Sequence, residues 1–304
     1  MSQVDLMQKA KEIEESAAET EYDQIRKSSG GRGFIDYGKI KEKYQNRAQP
    51  LFEPFTRIPD PGSYEGPIND LHSAMGKLSH GAHMNDPVSE DSIGANEDLK
   101  AIETAAGDLQ GWSGEAAYAF KANFLDPFPA KASNQFIALG GMKGAIQAEQ
   151  ELWEKAQADI ENIANDAITA LDNVGSCGKS DLEFTLSVAS AVAAIGAIPF
   201  TAGASAVTFA AVGAASAVGG AAQKGQEAVK ASGGSAEQVV GSMEDAISKL
   251  TEHISKERGR ITKSLNDCAG AVTQGKSHFV SPRPKLAGME GERLTSGTGV
   301  GGHD

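Results

Sequence analysis

The chain has 304 residues, with 28 Lys and Arg against 41 Asp and Glu, which gives a formal net charge of −13. Because nucleic-acid binding and adsorption to an anionic membrane both need a basic surface, this charge argues against both. Aromatic residues make up only 6% of the chain and glycines number 35, a composition that favours thin, closely packed helices over a deep aromatic core. We therefore predict an all-α fold, an elongated antiparallel helical bundle.

The N-terminal helices are predicted within residues 1–49. Apolar residues at three/four spacing indicate an amphipathic helix over 4–28, and the same spacing indicates a shorter helix over 36–48. Residues 50–67 then form a Pro-rich strap, because its five prolines remove backbone donors and exclude a long helix. Apolar side chains alternate with the prolines, so we expect the strap to dock on the bundle.

A helical hairpin with a long second arm is predicted over residues 68–178. Its first arm is expected to begin with a helix over 68–78 and to be completed by 89–109, and the tight turn Gly111-Trp112-Ser113-Gly114 follows. Trp112 supplies bulk, and the two glycines are expected to let the backbone reverse where a Cβ would clash. After the turn the helical spacing resumes at three residues that share one face, Ala117, Phe120 and Phe124.

The second arm is expected to break and then continue as a long helix. Pro127 and Pro129 are two positions apart and interrupt the helix, which is expected to restart near Lys131. From 146 to 174 the apolar residues follow an a/d seam, the pattern of a helix packed along its whole length.

The turn resembles the WXG-type helical hairpins of the type VII (ESX) secretion systems of Gram-positive bacteria. More narrowly, residues 66–222 resemble the larger Esp-type ESX-secreted proteins. In that family a Gly-Trp-x-Gly-x-Ala-Ala-x-x-Tyr/Phe turn precedes a long helix, an Ala/Gly-rich stretch and a low-complexity tail. The matching positions here are Gly111, Trp112, Gly114, Ala116, Ala117 and Phe120. The resemblance implies a secretion and partner motif at Gly111, Trp112 and Gly114.

The resemblance also implies a function: a non-catalytic substrate or interaction protein exported with a partner. That partner would be a small WXG-type helical-hairpin protein or an export chaperone, and the ESX secretion ATPase would recognise the pair. The implied location is secreted or attached to the cell envelope, with a cytoplasmic pool before export and no cleavable signal peptide. Type VII substrates share a Tyr-x-x-x-Asp/Glu signal; here Tyr118 leads to Ala122, so we expect the partner to carry the signal.

The tract from 184 to 223 contains no charged residue. Ser180–Glu183 has capping-box spacing, and Pro199 divides the tract, so we predict an Ala/Gly-rich hydrophobic helical hairpin. Two interpretations stay open: a hairpin buried in the bundle or in a homo-oligomer, and a membrane-active, pore-like hairpin that inserts into a bilayer. The candidate contact residues are Phe184, Pro199, Phe200 and Phe209.

A second capping box, Ser235–Gln238, begins the long C-terminal helix that completes the segment 179–275. Its apolar seam is expected to pack antiparallel against the helix over 146–174. Cys177 and Cys268 then lie at opposite ends of the pair, roughly 45 Å apart at 1.5 Å per residue, too far for a disulfide.

No catalytic, cofactor or metal site is predicted, and we expect a protein that is not an enzyme. The sequence has no phosphate-binding Gly loop followed by Lys and Ser/Thr, no His-Glu-x-x-His and no Gly-x-Ser-x-Gly. His80 and His83 lie in a Gly-containing loop and are interpreted as solvated. The abundant carboxylates are interpreted as marking solvated helix faces. Residues 276–304, rich in Gly, Ser and charge, are predicted to be a disordered tail.

Overall fold

The computed structural model describes residues 3–30, 33–108, 111, 115–177, 180–187, 194–202, 205–213, 227–282, 290 and 292. Most of these residues are helical, so the predicted all-α class is confirmed. The α-helices are α1 (Gln3–Ser28), α2 (Tyr37–Tyr44), α3 (Gln49–Phe52), α4 (Glu65–Leu78), α5 (Glu97–Asp108), α6 (Glu115–Phe120), α7 (Phe128–Cys177) and α8 (Ala236–Gln274). The strands are β1 (His83–Asn85), β2 (Ser92–Gly94), β3 (Ser180–Leu186), β4 (Ala194–Ala202), β5 (Ser205–Gly213) and β6 (Glu227–Gly233).

The chain forms two compact units, and each unit is discontinuous in sequence. The first unit consists of Met1–Glu65, Gln147–Ala193 and Ala214–Thr262. The second unit consists of Gly66–Ile146, Ala194–Gly213 and Lys263–Asp304. The long helices α7 and α8 therefore contribute to both.

In the first unit, α1 runs parallel to the second part of α7. The ammonium of Lys9 lies 3.1 Å from a carboxylate oxygen of Glu161, and the hydroxyl of Thr20 donates to the carbonyl of Leu171 at 3.3 Å. Both contacts join residues about 150 positions apart in sequence. Because this separation is nearly the same at both contacts, the two helices run in the same direction. Small side chains on α1 make this close packing feasible, since Ala10, Ala17 and Ala18 are fully buried.

The first part of α8 runs antiparallel to the same stretch of α7. Ser180, just after α7, pairs with Gly233, just before α8, while Arg258 far along α8 donates to Glu149 at 3.1 Å. Ser235 caps α8, since its hydroxyl accepts from the amide of Gln238 at 3.3 Å, while the side-chain oxygen of Gln238 accepts from the amide of Gly234 at 2.9 Å, one residue before the partner of a capping box. The predicted seams are largely buried, at Trp153, Ala156, Ile160, Ile163, Ala167, Leu171 and Val174 on α7 and at Val240, Met243, Ile247, Leu250, Glu257, Ile261 and Cys268 on α8.

The Pro-rich strap is ordered and docks on α1, as predicted. It is built from the short helix α3 and two turns of 3-10 helix, Glu53–Arg57 and Pro61–Tyr64. Phe52 and Phe55 are buried, and α3 and the first 3-10 turn both contact α1.

Alternating charges hold α2 against its neighbours in the first unit. The ammonium of Lys43 lies 2.6 Å from Glu21 on α1 and 3.1 Å from Glu237 on α8, and Arg47 lies 2.9 Å from Glu237. The buried Tyr44 hydroxyl donates to Glu21. Burial and this negative partner raise the pKa of Tyr44, which therefore stays a neutral donor.

The helical hairpin predicted for the charge-free tract is wrong, because the described backbone of this region is extended. β3 pairs antiparallel with β6, and β4 pairs antiparallel with β5. The sequence offers a physical reason: Ile, Val, Thr and Phe recur between the alanines, and β-branched and aromatic residues favour strands. Pro199 is tolerated because β4 lies in a two-stranded sheet. The Ser180 capping box likewise does not form, since Ser180 begins a strand.

In the second unit, the predicted helix over 68–78 is present as α4, but the segment 89–109 that should complete the first arm begins in a β-hairpin rather than a helix. Met84 pairs with Ile93 across β1 and β2, and of this segment only α5 is helical. The connecting loop begins at Asp86, whose side chain accepts from the backbone amide of Val88 at 2.8 Å, a local bond that competes with helix. The hairpin packs Ile93 with Met75 and Phe136 into a buried cluster.

The predicted break of the helix near Pro127 is confirmed. The helix restarts three residues before the expected position, Lys131. Asp126 and Pro127 separate the preceding turn from α7, which begins at Phe128. Pro129 falls in the first turn of α7, where a missing N–H costs no intrahelical bond.

Two further findings concern the C-terminal part. The predicted tail begins too early, because Lys276–His278 form a 3-10 turn and Phe279 is buried. A buried aromatic side chain provides the apolar contact that the Gly- and Ser-rich composition did not suggest.

Cys268 is a free, buried cysteine, whereas the side chain of Cys177 lies outside the described residues.

Gly140 on α7 provides a stability prediction with an internal control. A Cβ added there would lie 2.5 Å from Cγ of Pro87 in the β1–β2 loop, so we expect Gly140→Ala to destabilise the protein by about 1–3 kcal/mol. Gly241 on α8 has nothing within 4 Å of an added Cβ, so Gly241→Ala should stabilise by about 0.5–1 kcal/mol through helix propensity alone. Urea unfolding measures both, and stabilisation by Gly140→Ala would contradict the close loop contact.

Candidate interaction surface

The Trp-x-Gly turn lies between α5, which ends at Asp108, and α6, which begins at Glu115. Of the predicted motif, Gly111 is described, and Trp112 and Gly114 lie outside the described residues. Gly111 is exposed, and an added Cβ would meet nothing within 4 Å. The steric need for glycine that we expected does not apply at Gly111, because the backbone there is neither crowded nor in the left-handed region.

After the turn, α6 continues into a π-helical turn, Lys121–Leu125. The amide of Asp126 donates to the carbonyl of Lys121 at 2.9 Å, the wider spacing of a π-helix. Ala117 and Leu125 are buried on the inner side, and α5 contacts the π-helical turn. The described residues therefore form a helix on each side of the Trp-x-Gly sequence, and most of the turn itself lies outside the described residues.

Three phenylalanines form an aromatic ridge, defined here as Phe120, Phe124 and Phe128. The rings of Phe120 and Phe124 stack with their centroids 5.3 Å apart, and those of Phe124 and Phe128 are 6.0 Å apart. Phe120 is 38% exposed and Phe124 is 37% exposed. Tyr118, at 67%, projects further into solvent. Large aromatic side chains are thus concentrated on a partly exposed surface directly after the turn.

The neighbouring helix α5, which contacts the π-helical turn, is acidic. The helix contains four acidic residues and one lysine, and the exposed acids include Glu97, Asp98 and Asp108. Lys100 lies 3.7 Å from Glu97, so that one pair is locally compensated. An apolar ridge beside net negative charge favours a ligand that is apolar and basic.

The other predicted contact residues fall into two separate sheets. Phe184 lies in β3, is fully buried and pairs with Val229. Pro199 and Phe200 lie in β4 and Phe209 lies in β5, so these three share one hairpin, in which Phe209 pairs with Ile198. Phe184 is therefore part of the core of the first unit and is not available for contact with a membrane.

No metal-binding group was found in the part of the chain that the structure describes, where no three His, Cys, Asp or Glu side chains could hold an ion together. His80 is not simply solvated, because its Nε2 lies 2.7 Å from the hydroxyl of Ser133. Among the described helices, none is both long and apolar enough to cross a membrane.

The aromatic ridge is not recognisable as a surface from the sequence alone. The spacing of four between Phe120, Phe124 and Phe128 is visible in the sequence and predicts a shared face. Periodicity does not tell whether another element covers that face. The interpretation of all carboxylates as solvated is also wrong for four that are buried, Glu14, Asp86, Asp159 and Glu257.

Comparison with known proteins gives no match for this chain among protein-family models, curated proteins or solved structures.

Proposed function

We propose that the protein is a non-catalytic interaction protein of the type VII secretion class, exported together with a small helical-hairpin partner or an export chaperone. The observation that carries the proposal is the exposed aromatic ridge directly after the Trp-x-Gly turn. The type VII class is inferred from the sequence resemblance at Gly111, Trp112 and Gly114. The ridge is the surface that we propose binds the partner.

Physical chemistry supports a binding role for the ridge. Exposed aromatic side chains leave apolar area in water, and contiguous patches of that kind mark interaction sites. Tyr and other aromatics supply large contact area at low entropic cost, which is why they dominate interface energetics. The acidic residues on α5 indicate that the partner helix carries Lys or Arg beside its apolar stripe.

The test is co-expression of the tagged full chain with each small WXG-type hairpin protein encoded near it, followed by pull-down and assay of the culture medium. We expect Phe120→Ser combined with Phe124→Ser to weaken binding by about 100-fold or more, since buried aromatic anchors cost about 2 kcal/mol each when truncated. Trp112→Ala should reduce export as well. Binding to a basic partner should also weaken as salt is raised.

Phe34→Ser is the matched control, because Phe34 is 94% exposed and lies outside the ridge. It should leave binding and export unchanged. Circular dichroism of all variants checks that the helices are intact. Equal binding and export by the ridge variant and the wild type would refute the proposal.

A second candidate function is oligomerisation or membrane contact through residues 184–223. The observation that favours it is the β4–β5 hairpin, whose sequence contains no charge and whose strands pair only with each other among the described strands. Unpaired strand edges are templates for pairing with another chain. Liposome flotation and light scattering of the full chain, with Phe209→Asp as the variant, test this candidate. A monomer that stays in the soluble fraction would exclude it.

A further inference from the structure

The chain turns sharply after α8 and lies back on α7. The turn is at Gly275, where an added Cβ would lie 2.9 Å from the carbonyl of Ala271 and 3.2 Å from the ring of His278. Only glycine allows this close approach without a shift of the chain. The residues that follow the turn, together with Gly275, are defined here as the latch, residues 275–281.

Polar side chains from the first turns of α7 hold the latch mainly by its backbone. Asn134 donates to the carbonyl of His278 at 2.9 Å, and Gln135 donates to the carbonyl of Phe279 at 2.5 Å. Lys131 donates to the hydroxyl of Ser281 at 3.2 Å. Two of the three bonds are to main-chain carbonyls, so they depend little on the latch sequence.

One side chain provides the apolar anchor. Phe279 is buried together with Cys268 in a groove between α7 and α8. The partly buried residues that complete the groove are Val88, Ile137, Ala138, Ala271 and Val272. The thiol of Cys268 lies 4.0 Å from the carbonyl of Ala138, beneath the latch.

We propose that the latch opens and closes as a unit over this groove while α7 and α8 stay folded. Two observations support local opening. Of the seven latch residues only Phe279 is buried, and the entropy of the ordered residues opposes closure. Its outer side chains, Lys276, Ser277 and Val280, are exposed and add no anchor. Segments with so few buried contacts open at far lower free energy than the whole fold.

Cys268 serves as a built-in probe of the open state. Cys268 is buried, and burial raises the pKa of its thiol, so the closed protein both shields this thiol and disfavours its thiolate. Opening the latch exposes this thiol and the apolar groove together. The rate at which a thiol reagent modifies Cys268 therefore measures how often the latch opens.

The experiment uses the full chain with Cys177→Ser, so that Cys268 is the remaining thiol, and Ellman's reagent. We expect Phe279→Ala to speed the modification by about tenfold or more, and Gln135→Ala by a smaller factor, because each weakens the closed state. Met75→Ala is the control, since Met75 is buried in a cluster that contains no latch residue and meets the groove through Ile137, which packs against both. At an equal loss of global stability, Met75→Ala should raise the rate of Cys268 modification far less than Phe279→Ala does.

A peptide of residues 275–282, added in trans to the Phe279→Ala chain, should slow the modification again. The same peptide with Phe279→Ala should not. Unchanged reactivity of the Phe279→Ala chain would overturn the proposal, because the ring would then not be the anchor. Equal acceleration by Met75→Ala would also overturn it, because access to Cys268 would then need global unfolding. Equal protection by both peptides would show that the groove does not select the aromatic ring.

Discussion

Replacement of Lys143 by methionine should destabilise the second unit by about 3–5 kcal/mol, the cost of leaving a buried charge without its partner. The ammonium of Lys143 lies 2.5 Å from Oδ2 of Asp86, and the two side chains are 6% and 1% exposed. Oδ1 of the same carboxylate accepts from the amides of Val88 at 2.8 Å and Ser89 at 3.2 Å. Methionine keeps the length of the lysine stem but removes the cation, so the loop amides alone would have to stabilise the carboxylate.

Urea unfolding at neutral pH measures this effect, and Lys100→Met is the matched control. Lys100 is exposed and lies 3.7 Å from Glu97, so its loss should cost at most about 1 kcal/mol. Asp86→Asn removes the opposite charge while its amide oxygen still accepts from the loop, and the double variant with Lys143→Met should be less unstable than the sum of the single variants. A cost below that of Lys100→Met would refute the buried pair.

The elements that the sequence predicts well are those with one dominant local signal. The seam of α8 repeats at three and four over its whole length and its capping residue Ser235 stands at the start, so pattern and cap agree. The Pro-rich strap is predictable for a similar reason, since five prolines leave few backbone conformations. The break before α7 follows from Pro127 and Pro129 in the same way.

The elements that the sequence misses depend on competition between signals or on distant contacts. In the tract after Ser180, alanine favours helix while the interspersed Ile, Val, Thr and Phe favour strands, and pairing of β4 with β5 decides the outcome. The β1–β2 hairpin depends on Asp86, whose partner Lys143 is 57 residues away. The docking of Phe279 likewise needs α7, which is distant in sequence.

The exposure of the aromatic ridge illustrates a different limit. The spacing of Ala117, Phe120 and Phe124 in the sequence places them on one helical face, a pattern typical of a face that packs in the core. In the structure, Ala117 is buried while Phe120 and Phe124 are 38% and 37% exposed, because the spacing that groups residues on one face does not determine how far other elements cover it.

Removal of the Glu14 carboxylate should cost about 2–4 kcal/mol, the second-largest effect that we expect, because hydrogen bonds to a charged group contribute more than neutral ones. Glu14 on α1 is buried, and its Oε1 accepts from the amides of Ala48 at 2.9 Å and Gln49 at 3.0 Å. Its Oε2 accepts from the side-chain amide of Gln49 at 2.7 Å. The N-cap residue of α3, Ala48, has no side-chain capping bond, so Glu14 supplies the cap from another helix.

Three substitutions separate the contribution of the Glu14 charge from that of its hydrogen bonds, with equilibrium unfolding in urea as the measurement. Glu14→Ala leaves two backbone amides without an acceptor and should show the full loss. Glu14→Gln keeps an amide oxygen for those two donors, and the Gln49 amide can rotate to accept from the new side chain, so the loss should be nearer about 1 kcal/mol. Glu15→Ala is the control on the neighbouring, half-exposed side chain and should change stability by less than about 0.5 kcal/mol. If Glu14→Ala and Glu15→Ala unfold at the same urea concentration, Glu14 does not cap α3, and the strap must be held on α1 by the burial of Phe52 and Phe55 alone.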